Sequence, residues 1–315
     1  MDKMKHLLKV KYDLEAAKIV PQRGGWAALA FKVYSGDGSF FLKVYEKSRA
    51  STPKWTALID QYVPITVWLM HNSQLRGRLP VPVLTQNGDY KCEDDEGIYL
   101  LYEYIEGETV GDKELTGDQV EELSKMIAEL HLYGEEIPVE TKAIKEDFAV
   151  PFLAQMRTVV DQAIDELPYE VRELIQSHMV QLMKLMDSIE KLSADLMKRN
   201  LKMTLCHTDL HNWNLMQSSS RQLMLIDWEG LKLAPVEADL MFFIDKPYYH
   251  AFMTNYRKVH NEFAINPDVL QFYQDRRKLE DIWEFIEQIL FDRQDAQERA
   301  ETISHLSREI REINS

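Results

Sequence analysis

Along the N-terminal third of the chain, apolar and polar residues alternate with a period close to two. After a short amphipathic stretch, HLLKVKY, the segment AAKIVPQRGGWAALAFKVYSGDGSFFLKVYE reads as two or three strands, because successive strand side chains face opposite ways. Gly24-Gly25 falls between the first two strands, and Asp37-Gly38 separates AFKVY from FFLKVY. A D-G pair favours a tight hairpin turn, so the pattern predicts an antiparallel meander. Residues 53–74 have helical spacing with Pro64 inside, where a kink or break is expected. The run LPVPVLTQNGDYKCEDDEGIYLLYEYIEG returns to strand character, with turns at Asn87-Gly88 and 94–97 and a buried strand over 98–105.

From Thr116 the period becomes helical. Residues 116–134 put Leu123, Ile127 and Leu130 on one stripe, with Gly134 as the expected C-cap. Residues 147–199 read as one or two long amphipathic helices, LCHTDLHNWNLMQSSSRQLMLIDWEG as a small β-like insert, and the remainder to Ser315 as mainly helical. There is no internal repeat. The expected organisation is a β-rich part over 1–102, a connector at 103–108, and a mostly helical part over 109–315.

Composition narrows the function classes. A chain of 315 residues, 45% hydrophobic and 10% aromatic, is ample for a sizeable core and is unlike a disordered one. Its two cysteines, Cys92 and Cys206, exclude a disulfide framework and fit a reducing compartment. The charged start MDKMKHLLKVKY lacks the apolar core of a signal peptide, and no apolar run reaches the length of a membrane span. The expectation is a cytoplasmic protein with no membrane partner, a monomer or small homo-oligomer. The net charge of −15 argues against nucleic acid as a partner. It is compatible with a cationic small molecule, although solubility alone explains it equally well.

The chemistry concentrates in residues 207–228. His207-Thr-Asp209 is followed by Asn214 five residues after the Asp, and by Asp227 eighteen residues after it. That is a carboxylate and an amide on one loop, with a second carboxylate after a short hairpin. Phosphoryl transfer needs such a set: one Asp to orient and deprotonate a hydroxyl, an Asn and another Asp to hold magnesium on the phosphates. A cation for the phosphates is available in Lys43 of FFLKVYE. A lone strand lysine is ordinarily a solvated residue; its place between a Gly-Gly hairpin and the carboxylate loop gives it weight. LLYEYIEG, an apolar strand running into a polar connector, offers backbone groups to a base.

The pair CHTDLHNWNL and LIDWEGLKLAPVEADLMFF resembles the motif pair of the aminoglycoside phosphotransferase family, and the resemblance extends over nearly the whole chain. It implies an α+β, bilobal protein-kinase-like fold with an antiparallel β-sheet N-lobe and a mostly helical C-lobe. It implies transfer of phosphate from ATP (GTP possible) with Mg2+ to a hydroxyl of a small, cationic acceptor such as an aminocyclitol antibiotic. Residue by residue, Asp209 matches the catalytic base, Asn214 and Asp227 the magnesium ligands, and Lys43 the phosphate-binding lysine. Glu103, Tyr104 and Ile105 match the adenine-contacting hinge, and Gly24 and Gly25 the nucleotide loop. The pattern departs from the family in two places. The glycine-rich loop RGGWAALAF is degenerate, and the helix after Lys43 offers only Asp60 and Gln61 where a Glu should pair with the lysine.

Other residues carry a plain reading beside the functional one. His207 and His211 suit loop-holding roles, Cys206 a buried apolar role, and MVQLMKLM plastic core packing. Asp239 suits a hydrogen bond to the catalytic loop. It is also a candidate, with Glu280, Asp281, Trp283, Glu284 and Tyr248, for an acidic and aromatic acceptor pocket; a plain amphipathic helix explains residues 279–288 as well. A kinase for a metabolite of the choline, homoserine, fructosamine or methylthio-sugar type fits the same motifs. A metal-dependent hydrolase using His207, Asp209 and His211 leaves Asn214, Asp227 and Lys43 idle. A catalytically silent nucleotide-binding module remains a third class. No D-F-G or A-P-E segment of a protein kinase is present.

Overall fold

The structure, a computed structural model, describes residues 1–22, 27–162 and 164–314. Gly24 and Gly25 lie outside the described residues. In chain order the first elements are α1 (Asp2–Tyr12), β1 (Ala16–Gln22), β2 (Leu29–Ser35), β3 (Gly38–Glu46), α2 (Thr52–Thr56) and α3 (Ile59–Asn72). They are followed by β4 (Cys92–Glu93), β5 (Gly97–Glu103), β6 (Gly107–Thr109) and α4 (Gly117–Leu130). Next come α5 (Leu153–Asp161), α6 (Tyr169–Ser177), α7 (Met179–Leu196), β7 (Thr204–Cys206), β8 (Leu215–Ser218), β9 (Leu223–Leu225) and β10 (Lys232–Ala234). The chain ends with α8 (Glu237–Leu240), α9 (Tyr249–Tyr256), α10 (Pro267–Phe291) and α11 (Ala296–Arg311). The class is α+β, an antiparallel N-terminal sheet followed by a mostly helical part.

The chain forms two compact units. The first comprises Met1–Lys47, Thr52–Lys145 and Met203–Ala264. Its principal sheet is antiparallel with strand order β1-β2-β3-β5-β4. The β2–β3 hairpin turns at the predicted place, closing with Ser35 opposite Gly38, whose φ of 139° suits glycine. Alternation gives the sheet two faces. Phe31, Val33, Leu42, Val44 and Leu101 pack with Leu7 and Leu8 of α1 on one, while Tyr45 and Leu100 join the large core that includes α3 and α4 on the other.

Three local expectations give way. The helix α3 runs unbroken through Pro64. The proline removes only the donor to the Asp60 carbonyl, and Asp60 is an exposed residue in the first turn of the helix. The helix α4 starts on a Thr116–Gln119 capping box but ends at Leu130, before Gly134, because the His131 side chain is drawn into a buried polar cluster. Residues 147–199 form three α-helices, interrupted ahead of Pro168 and at His178.

The second unit comprises Ser48–Ser51, Glu146–Lys202 and Ile265–Ser315. Here α10 packs against α7 and α11. Its start is set by Pro267 at the first helical position and by the Asn266 side chain, which accepts from Asp268 N and Val269 N. A fully buried Glu146 carboxylate receives Arg276 Nη1 at 3.1 and 3.2 Å. No helix among the described residues is long and apolar enough to cross a membrane.

Candidate active site

The strands β7 and β10 pair antiparallel and carry the loop that begins at His207. After Asp209 the chain makes a short 3₁₀ turn over Asn212–Asn214 and enters the β8–β9 hairpin. The hairpin returns the chain to its starting point: Ile226 N donates to the Asn214 carbonyl at 3.0 Å, and His207 Nε2 bonds the Ile226 carbonyl at 2.9 Å. Eighteen residues of sequence separation thus close into one site holding Asp209, Asn214 and Asp227.

Asp209 is fixed by its neighbours. Asn214 Nδ2 donates to the Asp209 carbonyl at 2.9 Å and to its Oδ2 at 2.8 Å. His211 Nε2 lies 3.4 Å from the same oxygen. Because the Asn214 amide spends its nitrogen on Asp209, its oxygen is the atom left for a cation. Asp227 adds a partly exposed carboxylate on a residue with φ 62°. An amide oxygen and a carboxylate are hard oxygen donors of the kind that suit magnesium.

Lys43, in the middle of β3, reaches Asp227. Its Nζ donates to Asp227 Oδ1 at 3.0 Å and to Glu229 Oε1 at 2.6 Å. Burial alone would lower its pKa. Asp227 and then Glu229 outweigh that and hold the ammonium well above the ordinary lysine value. The β3 lysine and the loop carboxylates, 184 residues apart in sequence, therefore meet in one place.

The sequence model of the phosphotransferase enzyme family matches residues 18–273, from β1 into α10. The chain belongs to that family. Among solved structures it is similar to spectinomycin phosphotransferase in complex with ADP and spectinomycin, at 21% identity and a TM-score of 0.77, covering 100% of this chain and 97% of that one. It is also similar to a microcompartment-associated aminopropanol kinase (12% identity, TM-score 0.67, covering 100% and 97%). A third likeness is to choline kinase LicA from Streptococcus pneumoniae (13%, 0.64, covering 99% and 98%). These likenesses establish the protein-kinase-like fold. None of the curated proteins matches the chain.

In this phosphotransferase the loop that carries Asp209 hangs on Asp239, in the short helix α8. Its carboxylate is wholly buried: Oδ1 accepts from Thr208 N at 2.6 Å, and Oδ2 accepts from His207 N at 3.0 Å and faces His131 Nε2 at 3.0 Å. His131 Nδ1 in turn bonds Tyr256 Oη at 2.9 Å. Thr208 is held at φ 67°, an uncommon conformation for a β-branched residue. His131, Cys206 and Asp239 stand close enough to ligate a metal. The Asp239 oxygens are already spent on backbone N–H groups, and Cys206 Sγ donates to the Ala234 and Pro235 carbonyls at 3.5 Å, so the cluster is a structural one. Burial pushes the Cys206 thiol well up, away from thiolate chemistry. His207 is wholly buried, with Nδ1 accepting from Asp209 N at 3.3 Å and Nε2 on Ile226. Neither of its nitrogens is available for a metal group with His211.

Of the expected connector residues, Glu103 is the last of β5, paired opposite Phe40, and Tyr104 and Ile105 follow it. Tyr104 N donates to Ser39 O at 3.0 Å, and the Lys32 ammonium sits 3.6 Å from the Tyr104 ring centroid while pairing with Glu106 at 2.7 Å. Tyr248 is half-buried and packs against the core of the first unit. Glu280, Asp281, Trp283 and Glu284 all lie on α10 of the second unit. Trp283 is buried there, and Asp281 receives Arg277 Nε at 2.9 Å.

Reasoning from the sequence missed Glu229 and assigned nothing to His131. Asp60 is exposed and pairs with Lys91 at 2.6 Å, far from serving Lys43. The signal for Glu229 was its place in IDWEG, two residues after Asp227. Nothing local in the sequence marks His131 as the partner of Asp239, 108 residues away.

Proposed function

We propose that the protein is an ATP- and magnesium-dependent small-molecule kinase that phosphorylates a hydroxyl of a small cationic acceptor. The convergence of Lys43, Asp227, Asn214 and Asp209 within one compact unit carries this reading. Glu103, Tyr104 and Ile105 offer the strand-end backbone to adenine, and Lys43 neutralises phosphate oxygens. Asn214 and Asp227 would hold the metal, which would supply positive charge to the transferring phosphoryl group. Asp209 orients the acceptor hydroxyl and takes its proton as the acceptor oxygen bonds to the γ-phosphorus and the bond to the nucleoside diphosphate oxygen breaks. The lobe division proposed for this chemistry is 1–102, a hinge at 103–108, and 109–315, in a cytoplasmic enzyme without nucleic-acid or membrane partners.

The proposed acceptor class is the aminoglycosides and aminocyclitols, such as spectinomycin. A net charge of −15 is compatible with a cationic acceptor, and Glu280, Asp281 and Glu284 are the carboxylates proposed to recognise one, Asp239 being committed to backbone N–H groups. A metabolic amino alcohol is the second reading, supported by the likeness to aminopropanol and choline kinases. A phosphorylation panel with ATP and with GTP separates the two. Turnover of spectinomycin or another aminocyclitol supports the first reading, and turnover confined to choline-type amino alcohols supports the second. No transfer to any amine-bearing alcohol contradicts the proposal.

A further inference from the structure

We propose that Glu229 is the positioning residue that holds Lys43 for the nucleotide phosphates, in place of a glutamate on the helix after β3. The inference rests on the phosphotransferase reading and deepens it.

Three observations carry it. Glu229 Oε1 accepts from Lys43 Nζ at 2.6 Å and from Tyr45 Oη at 2.5 Å, and its side chain is only 8% exposed. Tyr45 is two residues beyond Lys43 on β3, so both donors project from the same face of one strand. The carboxylate is therefore fixed by two donors on a rigid element. On α3, in contrast, Asp60 turns outward to Lys91, and the buried Gln61 Oε1 has no hydrogen-bond partner among the described residues.

The two carboxylates on Lys43 are not equivalent. Asp227 is 40% exposed at its side chain and has one lysine contact at 3.0 Å, which suits a group that turns to a metal. Glu229 is enclosed and doubly bonded, which suits a permanent partner. The lysine keeps Glu229 while exchanging Asp227 for phosphate oxygens.

The anchor is also tied to the catalytic loop. Glu229 lies in the 3₁₀ turn Trp228–Gly230, and Thr208 Oγ1 donates to the Gly230 carbonyl at 2.7 Å. A Cβ at Gly230 would stand 2.6 Å from Thr208 Oγ1 and 3.0 Å from His207 O, so only glycine lets the turn seat this closely. Lys43 is thereby registered to the loop that carries Asp209 through a single short turn, without a carboxylate from α3.

The test titrates wild type, Glu229→Gln, Tyr45→Phe and Asp60→Asn with Mg·ATP, with Mg·GTP in parallel, and with adenosine, each after a thermal melt to confirm folding. Glu229→Gln keeps the shape but loses the charge, and the affinity for the triphosphate should fall roughly 10- to 100-fold, the range for a charged hydrogen bond. Adenosine affinity and the magnesium concentration giving half-saturation should stay unchanged. Tyr45→Phe, which leaves the Glu–Lys pair but frees the carboxylate, should give a smaller loss of the same pattern and serves if Glu229→Gln does not fold. Asp60→Asn should match wild type. Triphosphate affinity within twofold of wild type in Glu229→Gln, or in Tyr45→Phe where Glu229→Gln does not fold, overturns the assignment. So does an equal loss in Asp60→Asn, or a shifted magnesium requirement in Glu229→Gln. Wild type that binds no triphosphate removes the phosphotransferase reading and this assignment with it, a result distinct from the others.

Discussion

Replacing Asp239 by Asn removes one acceptor from a site that satisfies three buried donors. The carboxylate receives Thr208 N at 2.6 Å on Oδ1, and His207 N and His131 Nε2 at 3.0 Å each on Oδ2. Asn has a single acceptor oxygen. With its NH2 at the Oδ1 position it faces the Thr208 N–H; with its NH2 at the Oδ2 position it faces the His207 N–H, and His131 must change tautomer to accept. At least one charge-assisted bond is lost and one backbone N–H is orphaned with no solvent to replace it. Each of these effects is worth about 1.5–3 kcal/mol, giving a destabilisation of about 3 kcal/mol or more. For a folding unit of this size that corresponds to a fall in Tm of roughly 6–12 °C. Thermal unfolding followed by calorimetry and circular dichroism measures it. The same variant frees Thr208 from its φ of 67°, so kcat should fall while nucleotide affinity is largely kept. A Tm within about 2 °C of wild type would show that the loop does not hang on Asp239.

Asp281 gives a pH-dependent expectation. Burial raises its pKa to about 6 despite Arg277, with Glu309 and Glu280 adding to the rise. Its folded pKa is above the unfolded value near 3.9, so the folded state favours the protonated form, and stability is lost as pH rises from about 4 through about 6, by roughly 2–3 kcal/mol. Asp281→Asn should therefore raise Tm at pH 7.5 and make little difference at pH 4.5; a gain of equal size at both pH values would contradict the buried-carboxyl explanation. Lys43→Ala should abolish most turnover at saturating acceptor and weaken ATP binding, and its melting temperature should also fall because Glu229 is left enclosed without its cation; steady-state kinetics at full wild-type rate would remove the lysine from the site.

Much of the site was written in short-range patterns. The strand period around Lys43, the D-G turn at Gly38 and the apolar run of β5 all survive in the structure, because each depends on neighbours a few residues away. What escaped were the choices of distant partners. Lys43 takes Glu229, 186 residues on, because β3 faces the turn after the β8–β9 hairpin; α3 offers Asp60 to solvent instead. The end of α4 follows from His131 reaching Asp239 and Tyr256, which overrides the glycine signal at Gly134. Pro64 breaks nothing because its missing donor falls near the exposed start of α3. Hydrophobic period reports which face is buried, and it carries no information on which carboxylate a buried cation will meet.

The most direct test of the central claim compares wild type with Asp209→Asn on the acceptor found in the panel, measuring kcat for phosphoester formation together with Mg·ATP affinity by calorimetry. The Asn214 amide keeps a hydrogen bond to the residue 209 carbonyl in the variant, and the proposed metal-holding pair Asn214 and Asp227 is unchanged in sequence. Loss of the base should therefore lower kcat by roughly 10² to 10⁴-fold, the usual contribution of a general base, with Mg·ATP affinity within a few-fold of wild type. Phosphoester formation at the wild-type rate, or collapse of Mg·ATP binding in the variant, would contradict the assignment of Asp209 as the base of a phosphotransferase.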